Sequence, residues 1–328
     1  MFTLNKSAFL LFSALLLLIA IFIAYPREQS TVPLIAIANW GPHSSLQQTV
    51  QGIQDELSAL GLHENVDIRY EIQDVNFEPR LIPQMLAKLN ASRPKVLVAV
   101  ATPVAQMAKN QIHDIPIVFA SITDPVAAGL LSDPYQATGN ITGSSDKQDL
   151  SKLLSFAKEL IPHAHRVGIL YATNESNDAA LVKMMRDAAQ TQTMEVVAIP
   201  VNEAREVPLR MQLFKDKVDF IYVGASGPIQ PSLPAIVAAA DKMKIPVFNM
   251  NAEEVQAHKV LASFGVSYYE VGRNAGKIVF DLFKGKPVET ITPLYPSTQA
   301  YTAKISKKRA EAIGFKIPPQ FKEIVVEE

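Results

Sequence analysis

The chain has 328 residues, 48% of them hydrophobic and 19% charged, which is enough for two domains with a core each. Its 31 basic and 32 acidic side chains leave a net charge of −1, so no positive surplus draws it to phosphate backbones and no nucleic-acid partner is expected. The absence of cysteine excludes disulfides, Cys-ligated zinc, iron–sulfur clusters, thiol nucleophiles and lipid attachment at an N-terminal Cys.

In chain order, Lys6 is followed by an uncharged apolar run over residues 8–24. Its length lies between a secretion-signal core and a membrane span, and Phe22 stands where a cleavage site needs a small residue. Residues 1–26 therefore read as a signal peptide or a membrane anchor. Either reading puts the chain from Thr31 onward in a periplasmic or extracytoplasmic location, tethered to the inner membrane if 8–24 is retained.

Beyond Pro26, short Val- and Ile-rich runs alternate with longer helical stretches. The expected strands are 34–38, 66–71, 96–100, 115–120, 167–171, 195–199, 220–223, 245–248 and 260–264. Continuous rather than alternating hydrophobicity marks strands buried on both faces, as in a parallel sheet. The expected helices are 45–60, 79–90, 103–111, 149–160, 178–191, 207–215, 231–243 and 268–284. This rhythm predicts an α/β fold of two doubly wound parallel-sheet lobes joined by a hinge. One lobe is expected from 33–143 plus about 266–300, the other from 144–265 plus about 301–328, with Gly139–Ser145 as the joint. The strand C-termini of both lobes then face one cleft.

Catalytic signatures are missing. There is no G-x-G-x-x-G, no G-x-x-x-x-G-K-[ST] and no H-E-x-x-H. His163 and His165 stand two apart in an apparent surface turn, and Gly224-Ala225-Ser226-Gly227 lacks the spacing of a nucleophile elbow. No enzyme activity, cofactor or metal is expected.

Binding groups in such folds follow the strands. After the first come Asn39-Trp40-Gly41-Pro42-His43-Ser44-Ser45, where Trp40 is either a lobe-packing aromatic or a stacking wall and a serine caps the next helix. Thr102 before Pro103 reads as an N-cap whose free N–H groups suit a ligand carboxylate, or as a cap alone. Ser121 is placed to meet a ligand, and Asp124 before Pro125 reads as a turn-former or a cation partner. In the second half the loops carry Thr173-Asn174-Glu175, Ser226-Gly227 and Asn249-Met250-Asn251.

These motifs resemble those of ABC-transporter substrate-binding proteins of the tryptophan/tyrosine-binding (TrpX-like) family. The resemblance rests on Thr123-Asp124-Pro125-Val126-Ala127-Ala128-Gly129-Leu130 after 115–120, on Thr102-Pro103-x-Ala105-Gln106, and on Asn140-Ile141-Thr142-Gly143. Ile245-Pro246-Val247-Phe248 and Phe264-Gly265-x-x-Tyr268-Tyr269-x-x-Gly272-Arg273 extend it to about residues 33–325. It implies a type I periplasmic-binding-protein fold that closes on a small molecule, with an ABC permease as partner and a monomeric chain.

The cleft residues expected on this reading are Trp40, His43, Ser44, Thr102, Ser121, Asp124, Asp146, Asn174, Ser226, Asn249 and Tyr268. Many relatives carry Thr-Asp-Asn after the strand that here ends Tyr222-Val223, where this chain has Gly224-Ala225-Ser226-Gly227. Asp146, Asp124 and Glu254 stand as alternatives for meeting a ligand amine, and a neutral or anionic ligand is equally compatible. A membrane-anchored sensor signalling to a partner protein is the alternative function.

Overall fold

The computed structural model describes residues 32–297 and 299–327; the expectations for 1–26 lie outside them. Among the described residues no helix is long and apolar enough to cross a membrane.

The first sheet is built from β1 (Leu34–Asn39), β2 (Arg69–Asp74), β3 (Val96–Val100), β4 (Ile117–Ile122) and β5 (Ile141–Ser145). All pairings are parallel and the order is β2-β1-β3-β4-β5. Every residue of β1, β3, β4 and β5 is buried, because helices cover both faces. These are α1 (Ser44–Ala59), α2 (Ile82–Ala91) and α3 (Thr102–Gln111). Each Leu, Ile or Val so buried contributes about 1.5–3 kcal/mol.

The second sheet contains β6 (Arg166–Ala172), β7 (Glu195–Val201), β8 (Phe220–Val223), β9 (Val247–Asn249) and β10 (Ala262–Val266), completed by β11 (Tyr301–Ser306) and β12 (Val325–Val326). Its order is β12-β11-β10-β9-β8-β6-β7. Its helices are α4 (Leu150–Leu160), α5 (Ser176–Thr191), α6 (Val207–Met211), α7 (Leu233–Met243), α8 (Ala252–Gln256) and α10 (Lys307–Ile313). Strand β11 runs antiparallel to β10 and was not expected from the sequence.

The remaining helix, α9 (Tyr268–Phe283), follows the second sheet in sequence but packs on the first lobe. Its path is set by close backbone approach. A Cβ at Gly272 would drive into the carbonyl of Thr49 on α1, and one at Gly52 into the carbonyl of Tyr269. The crossing is also pinned by Arg273 Nε donating to the buried Glu56 Oε2 at 2.6 Å and by Tyr269 OH donating to Asp55 Oδ2 at 2.9 Å.

Several expectations need correction. The second strand spans Arg69–Asp74, not 66–71. Val66 is 72% exposed in the preceding turn, and β2 is a half-buried edge strand without a continuous apolar run. Strands expected at 115, 245 and 260 begin two residues later, since apolar residues of the incoming loop prolong each run. The Gly/Ser-rich stretch expected as a joint is mostly strand: Ile141–Ser145 is the buried β5 of the first sheet, and the chain leaves that lobe after it. Thr102 is the first residue of α3, not its cap; Ala101 is the cap, at φ 75°, and no side chain caps this end.

Candidate ligand-binding site

Counted within each lobe, the first five strands of both sheets have the order second-first-third-fourth-fifth. In such a sheet the strand order reverses beside the first strand, and ligands bind beyond the strand C-termini at that reversal. Here the reversals lie between β1 and β3 and between β6 and β8. The loops after these four strands meet across one cavity, the place where small-molecule sites form in such folds.

The first lobe contributes Trp40, His43, Phe77, Thr102 and Ser121 to the cavity wall. Trp40 is 4% exposed and meets Phe77 edge to face, with ring centroids 6.0 Å apart, so it is at once a packing residue and a wall of the cavity. His43 caps α1, its Nδ1 accepting from Ser45 N–H at 3.3 Å. Burial pushes its pKa below the ordinary 6.5, partly opposed by Glu254 and reinforced by Lys259. Ala101 and Ser121 both hold positive φ, 75° and 57°, at the cavity edge. Such backbone is strained for residues with a Cβ and concentrates at binding sites. No side chain caps this end and Pro103 has no N–H, so the donors of the helix start are the Thr102 and Val104 N–H groups.

The second lobe contributes Glu175, Asn177, Ser226, Gly227 and Gln230. Glu175 Oε2 accepts from the Gly227 N–H at 3.0 Å and from Asn177 Nδ2 at 3.2 Å. Burial raises its pKa, against these hydrogen bonds. Behind it, Asp178 is 1% exposed and accepts from the Ala172 N–H at 2.5 Å. Burial, then the Glu175 charge, raise Asp178 well above the ordinary carboxylate range.

Between the lobes lie Asp146, Met250 and Tyr268. Asp146 follows β5, where the chain leaves the first lobe, and Tyr268 opens α9, where it returns. Tyr268 OH donates to Asp146 Oδ2 at 2.6 Å, tying the two crossings together. Burial raises the Asp146 pKa. Among the described residues lining the cavity none is Lys or Arg.

The lobes are in contact across the mouth. Ser44 Oγ donates to Glu254 Oε1 at 3.2 Å, and Asn251 Nδ2 donates to Ser44 Oγ at 3.3 Å and Ser45 Oγ at 3.0 Å. A further bond between the lobes runs from Ser176 Oγ to Gln106 Oε1 at 3.2 Å.

Of the residues expected in the cleft, Trp40, His43, Thr102, Ser121, Asp146, Ser226 and Tyr268 line the cavity. Four do not. Ser44 lies in the contact between the lobes. Asp124 is a turn-former: it accepts from the Val126 and Ala127 N–H groups and pairs with Lys147 at 2.7 Å. Asn174 is exposed, and its neighbour Glu175 occupies the wall instead. Asn249 is wholly buried at the end of β9, its Oδ1 accepting from Asn251 N–H at 2.8 Å. Glu175, Asn177, Gln230 and Phe77 were missed. Glu175 and Asn177 lie in or beside a loop that the sequence marks, whereas Gln230 lies beyond its strand's first turn and Phe77 follows the misplaced β2. Among the described residues no group of His, Asp and Glu is placed to hold a metal.

Two doubly wound lobes, joined by adjacent crossings of the chain and sharing one cavity, define a binding protein for a small solute. The chain belongs to the ABC transporter substrate binding protein family, whose model matches residues 34–321. It is 30% identical over 257 residues to the tyrosine-binding protein of Clostridioides difficile (strain R20291), covering 78% of this chain and 74% of that one. A Streptococcus pneumonia ABC domain in complex with L-Trp superposes with a TM-score of 0.84 at 26% identity, over 90% of this chain and 100% of that one. A conserved domain protein from Vibrio cholerae gives 0.85 at 26% identity, over 90% and 99%. The ligand-free, open structure of a Clostridium difficile substrate-binding protein with adhesive properties gives 0.69 at 25% identity, over 90% and 99%. The expected family and fold are thus borne out. The chain is the extracytoplasmic solute-binding component of an ABC system, with a small-molecule ligand and a permease as its partners.

Proposed function

We propose that the cleft binds an α-amino acid with an aromatic side chain, and that the chain does no chemistry on it. One observation carries this reading: a single buried cavity offers aromatic walls, a helix N-terminus and buried carboxylates together. Trp40 and Phe77 supply apolar and stacking surface. The uncapped start of α3 suits the ligand carboxylate. The buried acids suit its ammonium, which needs an anionic partner once out of water. Relatives that bind tyrosine and tryptophan support the same reading.

The contacts between the lobes form with the cleft shut, and the higher TM-score with the L-Trp complex than with the open structure supports a closed conformation. Closure buries the solute, and the ligand shifts the open–closed balance by its preference for the closed state. The closed single chain is the form offered to the permease, delivered outside the cytoplasm by residues 1–26 as signal or anchor.

A thermal-shift screen of residues 27–328 tests the ligand class. An aromatic amino acid at 100 times its Kd stabilises the native state by about 2.7 kcal/mol, a rise of a few degrees in Tm. A shift with another compound class and none with aromatic amino acids rejects the proposal.

A further inference from the structure

The polar groups left over on the second-lobe wall define which end of the ligand lies there. The amide of Asn177 spends its Nδ2 on three acceptors: Ala225 O at 2.9 Å, Asp178 Oδ1 at 3.0 Å and Glu175 Oε2 at 3.2 Å. Turned round, it would set its oxygen against the Ala225 carbonyl, which can only accept, so its orientation is fixed. The amide of Gln230 spends its Nε2 on Gly224 O at 3.0 Å, which fixes it the same way. Asn177 Oδ1 and Gln230 Oε1 are consequently acceptors, and neither has a partner among the described residues. Asn177 is 7% exposed and Gln230 5%, and both line the cavity. Buried acceptors without donors are costly, so they mark a place for a ligand's N–H groups.

Glu175 completes the set. Its Oε2 is occupied by Gly227 N–H and Asn177 Nδ2, and the Trp40 indole N–H also favours the carboxylate, so Oε1 keeps one lone pair for a further contact. We propose that Glu175 Oε1, Asn177 Oδ1 and Gln230 Oε1 together receive the three N–H bonds of a primary ammonium group. This assignment rests on the amino-acid reading above and names the acid that carries it. It sets aside Asp124, which lies outside the cavity, and Glu254, which joins the lobes at the mouth. Asp146 is the rival acid, since its Oδ1 is without a partner while Oδ2 takes the Tyr268 hydroxyl, and the Asp146→Asn comparison separates it from Glu175. Glu175 restores on one side of the cavity the acid that the Gly224–Gly227 loop lacks.

The assignment makes the site selective for three N–H bonds and not for charge alone. The test is calorimetric titration of the wild-type protein with L-tryptophan, its Nα-trimethylated form and indole-3-propionate, repeated with L-tyrosine and its deaminated acid. L-tryptophan or L-tyrosine is expected to bind about 100-fold more tightly than either analogue. Glu175→Gln, which keeps an acceptor for Gly227 N–H, is expected to lose about as much affinity for the amino acid and to leave binding of the deaminated acid unchanged. Gln230→Met is expected to lower amino-acid affinity about tenfold. Asp146→Asn serves as the comparison and is expected to lose less than Glu175→Gln. Equal binding of the amino acid and its deaminated analogue by the wild type overturns the assignment even if Glu175→Gln does not fold, and so does a larger loss in Asp146→Asn. If no aromatic amino acid binds the wild type, the reading on which the assignment rests falls, and the assignment falls with it.

Discussion

Gly227 of the second lobe lies against Trp40 of the first so closely that a Cβ there would come within 2.5 Å of the indole Nε1 and would strike Glu175 Oε1 as well. The contact exists only when the lobes are together. Gly227→Val is therefore expected to hold the cleft ajar and to lower ligand affinity at least about 100-fold, since a buried clash is worth several kcal/mol. The Tm of the empty protein is expected to fall modestly: an open cleft relieves the collision with Trp40, but Glu175, in the same lobe as Gly227, must still turn aside. Unchanged affinity, measured by calorimetry, would show that closure to this contact is not needed.

The hydrogen bonds of Ser44 and Ser45 to Asn251 and Glu254 likewise belong to the closed form. His43, not either serine, caps α1, so the pair is replaceable without uncapping the helix. Ser44→Ala with Ser45→Ala is expected to weaken binding about tenfold, at roughly 1 kcal/mol per hydrogen bond, somewhat more for the one to the Glu254 carboxylate, less compensation by water. Stopped-flow kinetics should place the change in the dissociation rate, with association nearly unaltered.

Binding should release a proton. Burial holds the pKa of Glu175 above its ordinary 4.5 in the empty cleft, and its charge in turn raises the buried Asp178 behind it. An arriving ammonium favours the ionised carboxylate and lowers that pKa. Affinity is therefore expected to rise with pH up to the raised value of Glu175 in the empty cleft, then to level off. Between the ordinary 4.5 and that raised value the empty native state binds more protons than the unfolded chain, so this group costs stability as pH rises. His43 runs the other way: with its folded pKa below 6.5, the stability it contributes is lost as pH falls below that value. Titrations in buffers of different ionisation enthalpy separate the effects, because Glu175→Gln abolishes the proton release and leaves the histidine in place.

The crossing of α1 and α9 sets the return of the chain to the first lobe. Gly272→Ala should raise helix propensity by about 1 kcal/mol. It also forces a Cβ into the Thr49 carbonyl, where backbone has no room to yield. The clash, about 1–3 kcal/mol in a tight site, is expected to win and lower Tm in a thermal melt.

The two-lobed architecture was legible because β1, β3, β4 and β8 are continuous apolar runs, and buried parallel strands leave that signature. The half-buried β2 carries no such signature and was misplaced, and Phe77 was lost with it. Trp40, Thr102 and Ser226 were found because they follow strands directly. Gln230 was not, since its place depends on a turn reaching Gly224 O, which spacing does not encode. Asn174 against Glu175 shows the limit of loop reading: the loop was right, but which of two adjacent polar residues turns inward is decided by the Gly227 N–H.

Trp40 is the only tryptophan of the chain and lines the cavity, so the protein's indole fluorescence reports on that site alone. The most direct measurement is a titration with L-tyrosine, exciting at the red edge of the indole band where tyrosine does not absorb. A ligand seated between the lobes predicts a saturable change in Trp40 emission, with the same midpoint as calorimetry and lost in Gly227→Val. Calorimetric binding of L-tyrosine with unaltered Trp40 emission would contradict the account, because the ligand would then lie outside the cleft.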